Sequence, residues 1–226
     1  MNPTQNNTKY REEGNQPIRF AGSELGAQRH ICAFFHSAEE EYRVVLPFIK
    51  DGFECGHKAF HVVDPHLCDD HRERLSSAGI DVNAAEQSGQ FDLRNWNDVY
   101  LRDGRFDKDR MLALIQEEIV EGGGRPGFPL TRMVAHVEWA LEKQPGVDDL
   151  VEYEARVNYI WPRHKDAVIC VYDLTKFGGD IVMDILRTHP MVLIGGIIQE
   201  NPFFVPPDEF LRELRERRAP RNGVAA

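Results

Sequence analysis

The sequence predicts an α/β fold, a doubly wound and mostly parallel sheet with helices on both faces. Short apolar runs alternate with longer segments of helical periodicity, which is the order that βαβ units produce. The runs are rich in β-branched and aromatic residues, as expected of strands that are buried on both faces. They cover residues 30–35, 59–63, 132–137, 167–172 and 191–198, with a weaker candidate at 91–93.

Helical segments separate these runs. Apolar residues recur at intervals of three and four residues in the segments 42–49, 111–119, 150–161 and 181–186, which predicts amphipathic helices. Because the helices alternate with strand candidates, we expect right-handed crossovers that place helices on both faces of the sheet.

One domain is the simplest organisation for the 226 residues. Residues 1–28 are rich in Asn, Gln, Gly and charge, so we predict a disordered or loosely attached N-terminal tail. Residues 29–214 carry the α/β pattern, and residues 215–226 form a C-terminal tail. Acidic and basic residues alternate from Asp208 to Arg218, which predicts a solvated amphipathic helix.

Composition and charge exclude several classes of partner. The net charge of −10 argues against a nucleic-acid partner, because phosphate binding needs clustered Lys and Arg. No apolar run reaches the roughly 20 residues that a membrane span needs, and the N-terminus has no apolar signal region. We therefore predict a cytoplasmic protein that binds no membrane, with its four cysteines as free thiols.

The turn after the first strand differs from a phosphate-binding loop. In nucleotide-binding α/β proteins this turn carries a Gly-rich loop followed by Lys and Ser or Thr. Residues 36–41 instead read HSAEEE, and the spacing of Ser37 and Glu40 predicts a capping box. Three glutamates at the start of a helix repel a triphosphate, so we expect no ATP site here.

Polar and aromatic residues lie at the carboxyl ends of the predicted strands or directly after them. In doubly wound sheets ligands bind beyond the carboxyl ends of the strands, and small-molecule pockets combine apolar walls with a few polar groups. We therefore predict a small-molecule site at these ends. The candidate residues are Phe35, His36, Asp64, Glu138, Trp139, Tyr172, Asp173, Glu200 and Asn201. The alternative is that the acidic residues only cap the helices that follow them.

Six of the nine histidines lie between positions 30 and 71, close to three of the cysteines. This density suggests a metal site, but the spacings match no zinc motif, so we favour ordinary packing and predict no metal or other cofactor. His30 and Cys32 share one face of the first strand and, with His36, could form a soft-ligand or reactive-thiol corner. No nucleophile–base pair stands out, which predicts a protein that is not an enzyme.

Several segments together resemble one known family. They are HICAFFHSAEEEYRVVLPFIKDGFECGHKAFHVVD, AGIDV, GQFDLRN, EWAL, VEYEARVN, ICVYD and HPMVLIGGIIQENPFFVPPDEFL. They resemble the MEDS domain, the methanogen/methylotroph, DcmR-type sensory domain. The resemblance covers roughly residues 29–214, and its last block, which contains NPFFVPP, is the most specific.

The resemblance implies a fold and a function. The family looks like relatives of RecA/KaiC-type ATPases that lack the phosphate loop. Its members are proposed to sense simple hydrocarbon derivatives, fused to or acting with histidine kinases and transcription regulators. The resemblance also implies that the best candidates for ligand-pocket residues are His30, Cys32, Tyr172, Asp173 and the turn of Asn201 and Pro202. One departure is His136, which stands where the family often has an acidic residue.

The expected function is a non-catalytic sensory module that binds a small organic ligand. It would signal to a separate protein, a histidine kinase or a transcription regulator, and a homo-oligomer is compatible with the sequence. One alternative is a regulator that binds only protein, such as an anti-sigma factor or a kinase partner, which predicts an exposed apolar patch. The other is a residual nucleotide- or metal-dependent enzyme, which predicts bound metal or ATP hydrolysis.

Overall fold

A central parallel sheet organises the computed structural model, which describes residues 17–120 and 127–219. The strands in this part of the chain are β1 (Arg19–Phe20), β2 (Ser23–Glu24), β3 (His30–Phe35), β4 (Lys58–Val63), β5 (Phe91–Asn95), β6 (Thr131–His136), β7 (Ala167–Asp173), β8 (Met191–Ile194) and β9 (Ile197–Glu200). Strands β3 to β9 form one sheet in the order β5-β4-β6-β7-β3-β8-β9, parallel except for the β8–β9 pair. The predicted mostly parallel α/β fold is confirmed.

Helices connect the strands. The α-helices among the described residues are α1 (Ala38–Glu54), α2 (Cys68–Ser77), α3 (Val82–Ser88), α4 (Trp96–Val99), α5 (Lys108–Leu114), α6 (Leu150–Val157), α7 (Gly179–Thr188) and α8 (Pro207–Arg218). Within this part of the chain, none of the helices combines the length and the apolarity that crossing a membrane requires.

The sheet separates two apolar cores. Along β3, Ile31, Ala33 and Phe35 face the core that contains α1 and α3, while Cys32 and Phe34 face the core that contains α6 and α7. All six residues of β3 are buried, because both faces of the strand are covered. This double coverage explains why the strand is apolar almost throughout rather than alternating.

Residues 17–28 differ from the predicted loose tail. They form the β1–β2 hairpin, and Ile18, Phe20 and Leu25 are buried in the core on the α1 side. The ring centroids of Phe20 and Phe48 lie 5.1 Å apart. Apolar residues spaced through a polar segment therefore anchor it to the sheet, while the rest of the predicted tail, residues 1–16, lies outside the described residues.

Two further boundaries differ from the sequence analysis. The apolar run 191–198 is a hairpin of two strands, because Gly195 and Gly196 adopt the positive φ that a two-residue turn requires. The predicted domain end at residue 214 falls inside α8, which packs its Phe210 and Leu214 against α6. Residues 220–226 of the predicted C-terminal tail lie outside the described residues.

The histidines between positions 57 and 71 serve different structural roles. His57 Nδ1 accepts a hydrogen bond of 3.0 Å from Arg132 Nε, a guanidinium buried in the core. His61 Nδ1 lies 2.8 Å from His71 Nε2, and His71 Nδ1 lies 2.5 Å from the Tyr42 hydroxyl. These contacts fit the predicted packing role, because buried polar groups need partners.

We predict that Gly146→Ala destabilises the fold more than Gly79→Ala does. Both glycines have a positive φ, +87° and +88°, so either alanine is strained by about 1–2 kcal/mol. A Cβ at Gly146 would also lie 2.2 Å from the carbonyl oxygen of Phe106, whereas a Cβ at Gly79 meets open space. The backbone must shift for Gly146→Ala, at a further cost of about 1–3 kcal/mol.

Urea denaturation of both variants checks this prediction, since it measures the free energy of unfolding. Equal losses in the two variants would contradict it.

Candidate functional site

A cleft lies beyond the carboxyl ends of β3, β6 and β7, beside the start of α1. Its volume is about 80 Å³. The lining residues are Phe35, Ser37, Ala38, Glu41, Asp64, Leu67, His136, Glu138, Val171, Asp173 and Lys176. Doubly wound sheets bind ligands in this position, so the cleft lies where the sequence predicts a site.

The first turn of α1 forms the wall of the cleft next to β3. Ser37 Oγ accepts a hydrogen bond of 3.2 Å from the Glu40 amide, as the predicted capping box requires. Glu40 Oε2 accepts one of 2.8 Å from the His36 amide, one residue before the position expected. Side chains of the turn therefore satisfy these amides, and Glu39, Glu40 and Glu41 stand where a nucleotide-binding protein would cradle phosphate.

A buried ion pair crosses the cleft. His136, the last residue of β6, places its Nε2 3.0 Å from Oε1 of Glu41 on α1. Burial by itself would lower the pKa of His136. The charge and hydrogen bond of Glu41, supported by Glu138, outweigh burial and raise this pKa to about 9. The imidazole is therefore a cation at neutral pH, held against a carboxylate in a poorly solvated place.

Glu138 presents an unused hydrogen-bonding atom to the cleft. Its Oε1 accepts a hydrogen bond of 3.2 Å from the backbone amide of Asp173. Its Oε2 is buried and has no hydrogen-bond partner among the described residues. Burial raises the pKa of the Glu138 carboxyl, and the neighbouring His136 cation opposes that rise. A buried oxygen without a partner is costly, which makes it a natural contact for a ligand.

The cleft brings together four of the predicted ligand-binding residues: Phe35, Asp64, Glu138 and Asp173. Other predicted residues lie elsewhere. His36 is exposed beside α1, and Glu200 is exposed on the edge strand β9. Trp139 is fully buried and stacks on Tyr100 with 4.6 Å between ring centroids, so it belongs to the core.

Asn201 lies at the end of the β8–β9 hairpin, outside the cleft. Its Nδ2 donates to the carbonyl oxygens of Leu186 and His189 at 2.5 and 2.7 Å, and its Oδ1 accepts from the Phe203 amide at 3.0 Å. All these bonds join it to backbone, so Asn201 fixes the chain between α7 and the hairpin.

His30, Cys32 and Tyr172 lie on the face of the sheet opposite the cleft. Along β7, Val171 lines the cleft while Tyr172 points to the other core, because successive side chains of a strand alternate. Cys32 Sγ contacts the carbonyl oxygen of Met191 at 3.6 Å. The predicted corner with His36 is therefore not formed, and burial raises the pKa of the Cys32 thiol well above its usual value.

Sequence reasoning missed the pairing of Glu41 with His136. From the sequence, Glu41 is interpreted only as part of a helix start, and His136 only as a residue that departs from the family pattern. The two residues are 95 positions apart in the sequence, and they meet only because β6 ends beside the start of α1 in the folded chain. The available signal was His136 itself, a polar residue directly after the apolar residues of β6, which could have indicated a polar partner.

We predict that the Glu41–His136 pair makes stability depend on pH. The pKa of His136 is about 9 when folded, against 6.5 for the free side chain. The raised pKa adds stability that is fully present below pH 6.5 and is lost as the pH rises through 9. The gap in unfolding free energy between the natural protein and His136→Gln should therefore shrink between pH 6 and pH 9.5.

A double-mutant cycle with Glu41→Gln measures the coupling of the pair directly. Its coupling energy should fall over the same pH range, and a coupling that does not change with pH would refute the assignment.

The chain is similar to known proteins. A family model described as "MEthanogen/methylotroph, DcmR Sensory domain" (MEDS) matches residues 29–190. The transcriptional repressor DcmR of Methylorubrum extorquens is 22% identical over 183 residues, which is 75% of this chain. The match spans 61% of the length of that repressor.

A solved structure is also similar. The flagellar accessory protein FlaH of Methanocaldococcus jannaschii aligns with 84% of this chain and 80% of its own, at 13% identity and a TM-score of 0.48. Because the MEDS model matches well over half of the sequence, the chain belongs to the family of MEDS sensory domains.

Proposed function

We propose that this chain is a non-catalytic, cytoplasmic sensory module that binds a small organic ligand in the strand-end cleft and signals to a separate regulatory protein. The observation that carries the proposal is the buried Oε2 of Glu138, which lines the cleft and has no hydrogen-bond partner among the described residues. Membership of a sensory family and the likeness to a transcriptional repressor support a regulatory role.

The charges around the cleft indicate the class of ligand. Four carboxylic residues, Glu41, Asp64, Glu138 and Asp173, face two basic ones, His136 and Lys176. This excess of acid disfavours carboxylates and phosphates. A neutral or cationic molecule with a hydroxyl or amino group can donate a hydrogen bond to Glu138 Oε2.

The apolar walls indicate the rest of the ligand. Phe35, Leu67 and Val171 line the same cleft and can contact a short hydrocarbon group. A volume of about 80 Å³ has room for only a few non-hydrogen atoms. The ligand we propose is therefore a short-chain alcohol or amine, which agrees with the hydrocarbon derivatives that the family resemblance implies.

The absence of catalysis is part of the proposal. The glutamates of the first turn of α1 replace a phosphate cradle, and the hydrogen bonds of Ser37 and Glu40 occupy amides that an anion would need. These features disfavour the alternative of a residual nucleotide-dependent enzyme. For signal output we propose helix α8, which packs on α6 and carries an outer face of charged residues.

One observation favours the second candidate, a regulator that binds protein without a ligand. Ile194 and Ile197 pair across the β8–β9 hairpin and are 52% and 69% exposed, and Phe203, which follows β9, is 56% exposed. Apolar side chains at a sheet edge are typical of protein contacts. A partner at this edge would not require the cleft to be filled.

We predict that short alkylamines or alcohols raise the melting temperature of the protein, whereas short carboxylates do not. Glu138→Gln keeps an oxygen for the Asp173 amide and puts an amide group in place of Oε2. It should weaken binding about tenfold or more, because a hydrogen bond to a charged group is worth about 1.5–3 kcal/mol. Thermal shift and calorimetric titration measure both effects.

Glu200→Gln is the matched control, since it removes an exposed carboxylate outside the cleft and should leave binding unchanged. If no compound of either class binds, or if the two variants lose affinity equally, the cleft is not the sensory site. Partner binding that survives Glu138→Gln but not Ile197→Lys would then favour the second candidate.

A further inference from the structure

We propose a second site in this protein, a buried tetrahedral site for a divalent first-row transition-metal ion such as Zn²⁺ or Fe²⁺. Its ligands are His30, Glu154, Cys170 and His189. One ligand atom from each residue lies within 4.8 Å of the other three, and all four side chains are buried. This proposal departs from the predicted absence of a metal, which was argued from the spacings within the histidine-rich stretch. Three of the four ligands lie far from that stretch in the sequence.

Three elements of the fold and one connecting segment supply the ligands. His30 begins β3, Glu154 lies on α6, Cys170 lies on β7, and His189 lies between α7 and β8. The site occupies the face of the sheet opposite the cleft, because Cys170 and Val171 are neighbours on β7 and point in opposite directions. It therefore does not share the cleft of the proposed sensory function. Four protein ligands leave no open coordination position for a substrate, as in structural zinc sites, so the site does not favour the metal-dependent enzyme named as an alternative.

Hydrogen bonds orient both imidazoles for coordination. Asn158 Nδ2 donates to the carbonyl oxygens of Glu154, Ala155 and Thr188, so Asn158 Oδ1 is the atom that faces His30. This oxygen only accepts, and it lies 3.0 Å from His30 Nδ1, which must carry the proton. In the neutral imidazole, the Nε2 atom of His30 then carries a lone pair that faces Glu154 and Cys170.

The same logic applies to His189. Its Nδ1 lies 2.9 Å from the carbonyl oxygen of Ile185, which can only accept, so Nδ1 carries the proton. Its buried Nε2 has no hydrogen-bond partner among the described residues and points at the carboxylate of Glu154. If both imidazoles are neutral, their two lone pairs and the Glu154 carboxylate converge on one point, where a metal cation would attract all three.

The distances fit coordination better than direct hydrogen bonding. Glu154 Oε2 lies 3.3 Å from His30 Nε2 and 3.4 Å from His189 Nε2. A charge-assisted N–H···O⁻ bond is shorter, at about 2.7–2.9 Å. Cys170 Sγ lies 3.7 Å from His30 Nε2 and 4.0 Å from Glu154 Oε2. Zinc–ligand bonds of about 2.0–2.3 Å give tetrahedral edges of roughly 3.3–3.8 Å, a range that contains three of these four separations.

The donor set indicates the class of ion. Two imidazoles, a thiolate and a carboxylate suit zinc and ferrous iron, whereas magnesium and calcium prefer oxygen ligands alone. Cys170 would bind as its thiolate, so a metal–sulfur bond forms as the S–H bond breaks and one proton leaves to solvent. The thiolate and the carboxylate then balance the two positive charges, which leaves a buried site without net charge.

Residues around the ligands form a supporting shell. Asn158 and the Ile185 carbonyl hold the two imidazoles, and the Tyr172 hydroxyl donates to Glu154 Oε1 at 3.3 Å. Hydrogen bonds of this kind orient ligands and tune affinity in metal sites. Tyr172, named by the family resemblance as a pocket residue, therefore becomes a positioning residue for Glu154.

The first test measures metal in the whole chain. The protein, kept reduced and free of oxygen, is stripped with a chelator and then titrated with Zn²⁺, Fe²⁺ or Co²⁺. We expect one equivalent of ion by elemental analysis and a raised melting temperature. The Co²⁺ form should show visible bands typical of tetrahedral cobalt and a near-ultraviolet thiolate charge-transfer band. Binding of less than a tenth of an equivalent of every ion would overturn the proposal.

The second test identifies the sulfur ligand. Cys32→Ser/Cys55→Ser/Cys68→Ser leaves Cys170 as the single cysteine of the chain and should retain the charge-transfer band. Cys170→Ser should lose that band and bind at least tenfold more weakly. A band that persists in Cys170→Ser, or disappears when Cys170 is the only cysteine in a folded protein, refutes this ligand set. If either variant does not fold, the third test decides the assignment.

The third test uses a supporting residue. Asn158→Leu keeps all four ligand side chains but removes the acceptor of His30 Nδ1 and the donor to the carbonyl oxygens of Glu154, Ala155 and Thr188. Metal affinity of the folded variant should therefore fall about 10- to 100-fold. Glu200→Gln, remote from the cluster, is the control and should bind metal as the natural protein does. Unchanged affinity in Asn158→Leu would overturn the proposed orientation of His30, and with it the site.

Discussion

Strands β3 and β7 are covered by packed helices on both sides, and this double burial constrains every polar group that they carry. A polar side chain that is fully buried on either strand has no route to bulk water, so it must find its partners inside the protein. His30 does so through Asn158, and Tyr172 does so through Glu154. Several buried polar atoms have no hydrogen-bond partner among the described residues, and two of them, Nε2 of His189 and Oε2 of Glu138, lie at the two proposed sites.

Because successive side chains on a strand alternate, the residues of β3 and β7 divide between two sites. Residues Phe35 and Val171 face the strand-end cleft, while Cys170 and Tyr172 face the cluster around Glu154. The two sites thus share β7 but not a cavity. A single strand can therefore hold an opening for a small ligand on one face and a rigid polar cluster on the other.

The start of α1 carries acidic side chains at the position where nucleotide-binding α/β proteins bind phosphate. Its first turn holds three glutamates, and one of them, Glu41, pairs with His136 across the cleft. A helix N-terminus attracts negative charge, so these carboxylates are stabilised where a phosphate would otherwise bind. The cleft that results is acidic and partly apolar, which supports the proposal of a small neutral or cationic ligand.

Local features of the sequence determined much of this description. The apolar runs located the strands, HSAEEE predicted the cap and the missing phosphate loop, and the residues after the strands included Phe35, Asp64, Glu138 and Asp173, which meet in the cleft. Tertiary structure alone decided that Glu41 meets His136 and that His189 joins His30. Periodicity is a property of neighbouring residues, whereas these contacts depend on strand register and helix placement between distant segments.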